Sequence, residues 1–232
     1  MHAASSSLVT ARPGPAREAG IRAGHDRATL AEIFPETATD GAAAGFALAH
    51  LRADKGPVLW IQDRLSRRET GRPYLAGMGA RFEVILLEVG RPVDVLWAME
   101  QGLSCTALGG VIGEIWGEAA AIDFTATKRL ALRAEAQGTA CWLIRRAARA
   151  DLSAARERWR IASRPSSPHP DDPQAPGRPL WRATLFRART RAPGTWDIGW
   201  SPATGPQPLA GQEGWITHPP APPRIAALAQ SA

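Results

Sequence analysis

Residues 31–51, AEIFPETATDGAAAGFALAHL, have the layout of a nucleotide-binding loop. An apolar run enters a loop, and the loop opens a run of small residues typical of a helix. In a P-loop, backbone amides surround the phosphates, a lysine contacts the β- and γ-phosphates, and a Ser or Thr holds Mg²⁺. Here Thr39, Asp40, Gly41 and Ala42 stand where Gly-Lys-Ser/Thr belongs. We therefore interpret these four residues as a degenerate P-loop.

The charges around this loop argue against ATP binding. No Lys or Arg lies between Leu30 and Arg52, and Asp40 places a carboxylate where the lysine belongs. Because each charge-assisted phosphate contact contributes roughly 1.5–3 kcal/mol, the loss should cost several decades in ATP affinity. We expect no bound cofactor.

The acids that ATP hydrolysis needs are also displaced. After VLWIQ, Arg64 occupies the place of a catalytic acid, with Asp63 beside it. Glu114 ends a predicted strand, where it could replace a Mg²⁺-linked Asp, but we favour a solvated loop residue. The sequence therefore predicts no catalytic residue and a protein that is not an enzyme.

The sequence also bears on whether the protein has a metal site and where in the cell it lies. The five histidines are scattered, and Cys105 and Cys141 lie in apolar runs, so no metal site is expected. The N-terminus has no apolar signal region, and no run approaches the roughly 18 apolar residues of a membrane span. These observations predict a cytoplasmic protein that does not contact a membrane.

Strand and helix signals alternate through the first two thirds of the chain. Strands are predicted at 31–34, 57–62, 82–89, 107–117 and 139–146, and helices at 41–54, 92–105 and 123–138. The runs at 57–62 and 82–89 are continuous and apolar, which favours buried strands, and 64–74 is charged and predicted to be a loop. Thr125 is a predicted N-cap and Gly138 a predicted helix stop.

After residue 150 the pattern changes to three β-like runs without helices between them, ERWRIAS, PLWRATLFRART and GTWDIGW. The predicted fold class is therefore α/β, with a mostly parallel sheet flanked by helices and antiparallel strands added at its C-terminal end.

The chain divides into three predicted regions. Residues 1–26 are a flexible N-terminal segment, residues 27–200 form one domain, and residues 201–232 are a Pro-rich tail with a short helix candidate at RIAALA. Within the domain, residues 164–179 are predicted to be a mobile loop in polyproline-like conformations.

A run of arginines begins at the end of the last predicted parallel strand: Arg145, Arg146, Arg149, Arg156, Arg158 and Arg160. One interpretation is an edge that contacts phosphates or a partner protein, and the other is a solvated charged loop.

The tryptophans also have two possible roles, in binding or in the folded core. Trp159 and Trp181 alternate with arginines, which suits base stacking, but we favour sheet-face residues covered by arginine stems. Trp60, Trp97 and Trp142 are predicted to lie in the core.

The order of these elements resembles the RecA core. More closely, the chain resembles the ImuA family over about residues 28–200, in the segments GFALAHL, VLWIQD, DVLWAMEQGL, IDFTATKRLALRAEAQG, RERWRIASRPS and PLWRATLFRA with GTWDIGW. The resemblance implies a RecA-like domain whose P-loop does not work. The loop after residue 145 lacks the long Gly-rich segment with which RecA grips single-stranded DNA, so independent DNA binding is not implied.

The resemblance also implies a function. ImuA-family proteins are SOS-induced factors that act with ImuB, an inactive Y-family polymerase relative, and with an error-prone replicative-type polymerase subunit. The implied role is a non-catalytic adaptor in translesion synthesis and mutagenesis after DNA damage. Two alternatives stay open: a module that binds RecA filaments or single-stranded DNA, and a weak ATPase.

Overall fold

The structure, a computed structural model, describes residues 29–74, 82–201 and 205–211. The predicted flexible segment 1–26 and most of the predicted tail, including RIAALA, lie outside these residues. The strands are β1 (Leu30–Pro35), β2 (Val58–Asp63), β3 (Val84–Val89), β4 (Gly110–Trp116), β5 (Cys141–Arg146), β6 (Glu157–Arg164), β7 (Leu180–Ala188), β8 (Gly194–Ser201) and β9 (Gly205–Pro208). The helices are α1 (Ala42–Ala49), α2 (Arg64–Thr70), α3 (Pro92–Gly102) and α4 (Phe124–Gln137), with a 3₁₀ turn at Ala53–Lys55.

In the described part of the chain, nine strands form one sheet in the order β3-β2-β4-β5-β1-β6-β7-β8-β9. All pairs from β3 to β6 are parallel, and β7, β8 and β9 add antiparallel strands. The predicted α/β class is confirmed, including the antiparallel C-terminal extension. β9 was not predicted, and it carries the sheet past residue 200, where the tail was expected to begin.

Helices cover both faces of the parallel part. On one face, the α1 residue Phe46 packs against Trp142 and Trp159, with ring centroids 5.9 and 5.1 Å away. On the other, α3 and α4 bury Met99 and Leu130 against the sheet. Each such side chain stabilises the fold by roughly 1.5–3 kcal/mol through the apolar surface that it buries.

The predicted core tryptophans are correct at Trp60 and Trp142, which are buried, and wrong at Trp97. Trp97 is 64% exposed because it lies on the side of α3 opposite the residues that face the sheet, Val95 and Met99.

One of the two predicted ends of helix α4 is correct. The Asp123 carboxylate accepts a hydrogen bond from the Ala126 amide at 2.6 Å, so Asp123 is the N-cap and the predicted Thr125 is wrong. Gly138 ends the helix in the left-handed region at φ 68°, as predicted.

The charged segment predicted to be a loop, 64–74, contains a helix instead. Asp63 caps α2 by accepting from the Ser66 amide at 2.7 Å, and Gly71 ends it at φ 77°. An N-cap carboxylate and a C-terminal glycine therefore outweigh the absence of an apolar face in so short a helix.

β3 is a strand as predicted, but it is not buried. It is the first strand of the sheet, with a neighbour on one side only among the described residues, and Ile85, Leu86 and Leu87 are 39–47% exposed. A continuous apolar run is typical of a central parallel strand, and the run alone does not show that the strand lies at an edge.

The Pro-rich loop folds back on itself. Gly177 donates to the Ser167 carbonyl at 2.8 Å, His169 donates to the Ala175 carbonyl at 3.2 Å, and Pro168 pairs with Pro176 in an antiparallel bridge. The proline content did not predict this hairpin-like form. The mobility of the loop stays a prediction.

Candidate functional site

The loop after β1, residues 36–41, is the segment in which a phosphate would bind if the sequence were a working P-loop. The Asp40 carboxylate accepts from the Ala42 amide at 2.8 Å, at the start of α1. It also accepts from the Ser163 amide at 2.7 Å and the Ser163 hydroxyl at 2.6 Å, which ties the loop to β6. A protein carboxylate therefore occupies a helix N-terminus that would otherwise favour a bound anion.

Arg146, at the end of β5, holds the same loop from within the protein. Its Nη1 donates to the carbonyls of Ala38 and Asp40, at 2.8 and 3.1 Å. Its Nε donates to Glu114 Oε2 at 2.7 Å, and Trp60 Nε1 donates to Glu114 Oε1 at 2.6 Å. The loop thus faces a guanidinium with carbonyl groups, whereas phosphate binding uses amide groups.

Glu114 was expected to be a solvated residue, and that expectation is wrong. It lies within β4, opposite Gln62 of β2 and Ile144 of β5, and it is 1% exposed. Both of its oxygens accept hydrogen bonds from buried donors, which stabilises the ionised carboxylate inside the protein.

A cavity of about 340 Å³ lies beside this loop, between the start of α1 and the segment that follows α2. Arg146 and Glu114 line it as a neutralised pair, and Arg72 adds an exposed cation. Among the described residues that line it, Arg146 and Arg72 are the cations, and a triphosphate requires several that converge.

A second buried ion cluster lies on the opposite face of the sheet. Glu32 Oε2 accepts from Arg158 Nε at 2.7 Å, and Glu32 Oε1 lies 3.7 Å from Arg145 Nη1. The Phe34 ring lies 5.2 Å from the Arg158 guanidinium and 5.7 Å from that of Arg145. Burial lowers the pKa of Arg145, and the nearby Glu32 partly offsets this shift.

Three arginines of the run that was interpreted as either a contact edge or a solvated loop are buried. Arg145, Arg146 and Arg158 are 2–3% exposed and pair with carboxylates that lie 27 to 126 residues away in the chain. Among the rest, Arg149 and Arg160 are exposed, and Arg156 is half-buried. The register of β1, β4, β5 and β6 brings the acids beside the guanidinium groups, so the charges pair inside the protein.

The two tryptophans interleaved with arginines are sheet-face residues, as favoured. Trp159 and Trp181 are at most 6% exposed. The Arg191 guanidinium lies 4.8 Å from the Trp159 ring centroid, and its Nε lies 3.0 Å from Glu157 Oε1. These side chains are not available to stack on bases.

Sequence reasoning missed Glu32 and Glu157, which pair with these arginines. Glu32 is a single acid within a strand that is otherwise almost entirely buried, Leu30–Pro35, and Glu157 is the first residue of Glu157–Arg164, where it pairs with Arg191. That position is the available signal, because an unpaired buried carboxylate is strongly unfavourable and predicts a buried cation nearby.

Two further properties concern the described residues alone. They contain no group of three or more His, Cys, Asp or Glu side chains placed to hold a metal ion. None of their helices has the length and apolar character needed to span a membrane.

The fold and this site define a mixed, mostly parallel α/β protein in which buried ion pairs lie among the central strands. No protein-family model matches the chain. The chain is similar to Protein ImuA from two strains of Caulobacter vibrioides, NA1000 / CB15N and ATCC 19089 / CIP 103742 / CB 15, with 32% identity over 166 residues in both cases.

The aligned region covers 66% of this chain and 65% of each of these relatives, so the chain spans a little less than two thirds of their length. Over this region the chain is similar to the ImuA family.

Proposed function

We propose that this protein is a non-catalytic adaptor in damage-induced mutagenesis. Its proposed partners are an ImuB-like inactive polymerase and an error-prone replicative-type DNA polymerase subunit, in the cytoplasm. Similarity to Protein ImuA, at 32% identity over 166 residues, supports a role in this process, and the partners follow from the resemblance described above.

One observation carries the non-catalytic part of the proposal: the protein's own groups occupy the binding positions of loop 36–41. The Asp40 carboxylate bonds the first amide of α1, and the Arg146 guanidinium bonds two loop carbonyls. A triphosphate would have to displace both interactions and overcome repulsion from Asp40. We therefore interpret residues 39–42 as a degenerate P-loop.

The enzymatic part is tested with purified full-length protein. We expect no ATP hydrolysis above the buffer background and no saturable binding of a fluorescent ATP analogue. Gly41→Lys should stay inactive, because restoring one cation leaves Asp40 and the buried Glu114–Arg146 pair unchanged. Hydrolysis that Asp40→Ala alters and the exposed control Arg52→Ala leaves unchanged would contradict this part.

The adaptor part is tested by capture of the tagged protein from cells treated with mitomycin C. We expect polymerases of the two proposed kinds to be recovered, before and after nuclease treatment. Recovery of RecA alone, or recovery that nuclease abolishes, would instead favour the module that binds RecA filaments or single-stranded DNA. Burial of Arg145, Arg146 and Arg158 weighs against direct DNA binding, because it removes three cations from the surface.

A further inference from the structure

A groove of about 310 Å³ lies on the far side of α4 from α3, away from loop 36–41. One wall is formed by α4, and the other by residues 153–156, which lead into β6, and residues 187–189, at the end of β7. Its bottom is apolar, with contributions from Ala131, Ala154 and Ala155. Two large apolar side chains beside it are exposed to solvent: Phe124 is 44% exposed and Leu132 is 50% exposed.

The rim of the groove is cationic. Lys128, Arg187 and Arg189 all line it and are exposed. Within the described part of the chain, no carboxylate lies within 4.0 Å of Lys128 or Arg187, unlike the neutralised arginines of the core. An apolar floor under unneutralised cations favours a ligand that carries both an apolar side chain and negative charge.

Hydrogen bonds between its walls hold the groove open. The Ala154 amide donates to Thr127 Oγ1 at 3.0 Å, and Arg156 forms two bonds to the Glu135 carboxylate, at 2.6 and 3.1 Å. Within the second wall, the Arg189 amide donates to the Arg156 carbonyl at 2.9 Å, which joins the two segments that form it. A preformed groove binds an extended segment at a lower entropic cost than one that must first become ordered.

We propose that this groove binds an acidic peptide segment of a partner protein. One aliphatic or aromatic side chain of the segment enters between Phe124 and Leu132, and its carboxylates face Lys128 and Arg187. The proposal is independent of the mutagenesis role, because it rests on the shape and charge of a surface outside the loop and the ion-pair clusters.

The charge of the groove also argues against two other occupants. Residues 1–28 of this chain carry four arginines and two carboxylates, and residues 212–232 carry one of each, so neither is acidic. Single-stranded DNA would match the cations, but base stacking uses several aromatic faces, and this groove offers Phe124 alone among its described lining.

The test measures binding of a fluorescent twelve-residue peptide, six Asp or Glu with a central Leu-Phe pair, to the full-length protein. We expect saturable anisotropy that weakens on raising the salt concentration. Lys128→Glu with Arg187→Glu should weaken binding by about tenfold or more. Arg52→Glu with Arg68→Glu, which makes the same change in net charge elsewhere on the surface, should leave it within about twofold.

A second arm tests the apolar part. Leu132→Ser, at a half-exposed position where folding should not depend on the side chain, should weaken the peptide several-fold, as should replacing Leu-Phe in the peptide by Ser-Ser. Equal binding of the Ser-Ser peptide would overturn the proposal. So would tighter groove-dependent binding of oligo-dT, or of synthetic peptides corresponding to residues 1–28 or 212–232, or no saturation at millimolar peptide.

Discussion

Replacing Glu32 with Gln should destabilise the protein by about 3–5 kcal/mol, the usual cost of removing one partner from a buried ion pair. Glu32 is the carboxylate between two buried guanidinium groups, 2.7 Å from Arg158 Nε and 3.7 Å from Arg145 Nη1. Glutamine has nearly the same volume, so the substitution removes charge without creating a cavity. The two arginines would then repel each other in a region with little water, since each is 3% exposed.

Urea unfolding of the full-length protein, followed by tryptophan fluorescence, measures the change in the free energy of unfolding. The urea midpoint should fall while the slope stays constant, because the surface exposed on unfolding is unchanged. In thermal unfolding, Tm should fall by roughly 6–20 °C, at about 2–4 °C per kcal/mol for a domain of this size.

Asp54→Asn is the matched control. It also removes one carboxylate from a close arginine pair, with Arg52 at 2.6 Å, but these side chains are 58% and 33% exposed. Its cost should be below about 1 kcal/mol, because solvent screens the pair.

A Glu32→Gln variant that loses no more stability than the control would refute this reasoning. It would mean that Glu118, 3.9 Å from Arg145, or water compensates the two guanidinium groups. Adding Arg158→Met to Glu32→Gln should recover part of the lost stability, since one cation is then gone. If nothing is recovered, the cost came from packing instead of charge.

Two further predictions concern side chains near the surface. Asp40→Ala should cost about 1–2 kcal/mol and speed amide hydrogen exchange at Ala42 and Ser163, because both amides lose their acceptor; unchanged exchange would show that this carboxylate does not hold the loop. The hydrogen bond from Arg156 lowers the pKa of Glu135, so this pair stabilises the protein above the pKa of the unfolded chain and loses its effect as pH falls through the folded value. Glu135→Gln should therefore lower the free energy of unfolding slightly at pH 7, by less than about 1 kcal/mol, and this cost should shrink as pH falls below the pKa of the unfolded chain; a cost that does not shrink at acid pH would contradict the assignment.

Local signals in the sequence predicted most of the elements and the fold class. The alternation of apolar runs with helical segments predicts a mostly parallel sheet, and the structure has one. Gly138 ends α4 as predicted, and the predicted β-like run GTWDIGW lies within β8. These predictions succeeded because helix stops and apolar periodicity depend on residues within a few positions of one another.

The place of each strand in the sheet could not be predicted in this way. The run at 82–89 has the apolar character of a central strand, yet β3 lies at the edge with Ile85 and Leu86 exposed. Strand order depends on how the connections cross the sheet, which one strand's composition does not encode. The groove beside α4 could not be predicted for a similar reason, because its walls come from segments far apart in the sequence, residues 124–132, 153–156 and 187–189.

The sequence by itself determined that loop 36–41 has no lysine and that arginine dominates the positive charge of this chain. Tertiary structure alone decided which arginines are available for binding. Arg146 and Arg158 look like neighbours of Arg149 on one charged edge, but strand register places Glu114 and Glu32 beside the first two and leaves the Arg149 side chain exposed. The physical reason is desolvation, because burying a guanidinium is unfavourable unless a carboxylate and hydrogen-bond acceptors lie beside it. In this protein those groups come from strands that are distant in the chain.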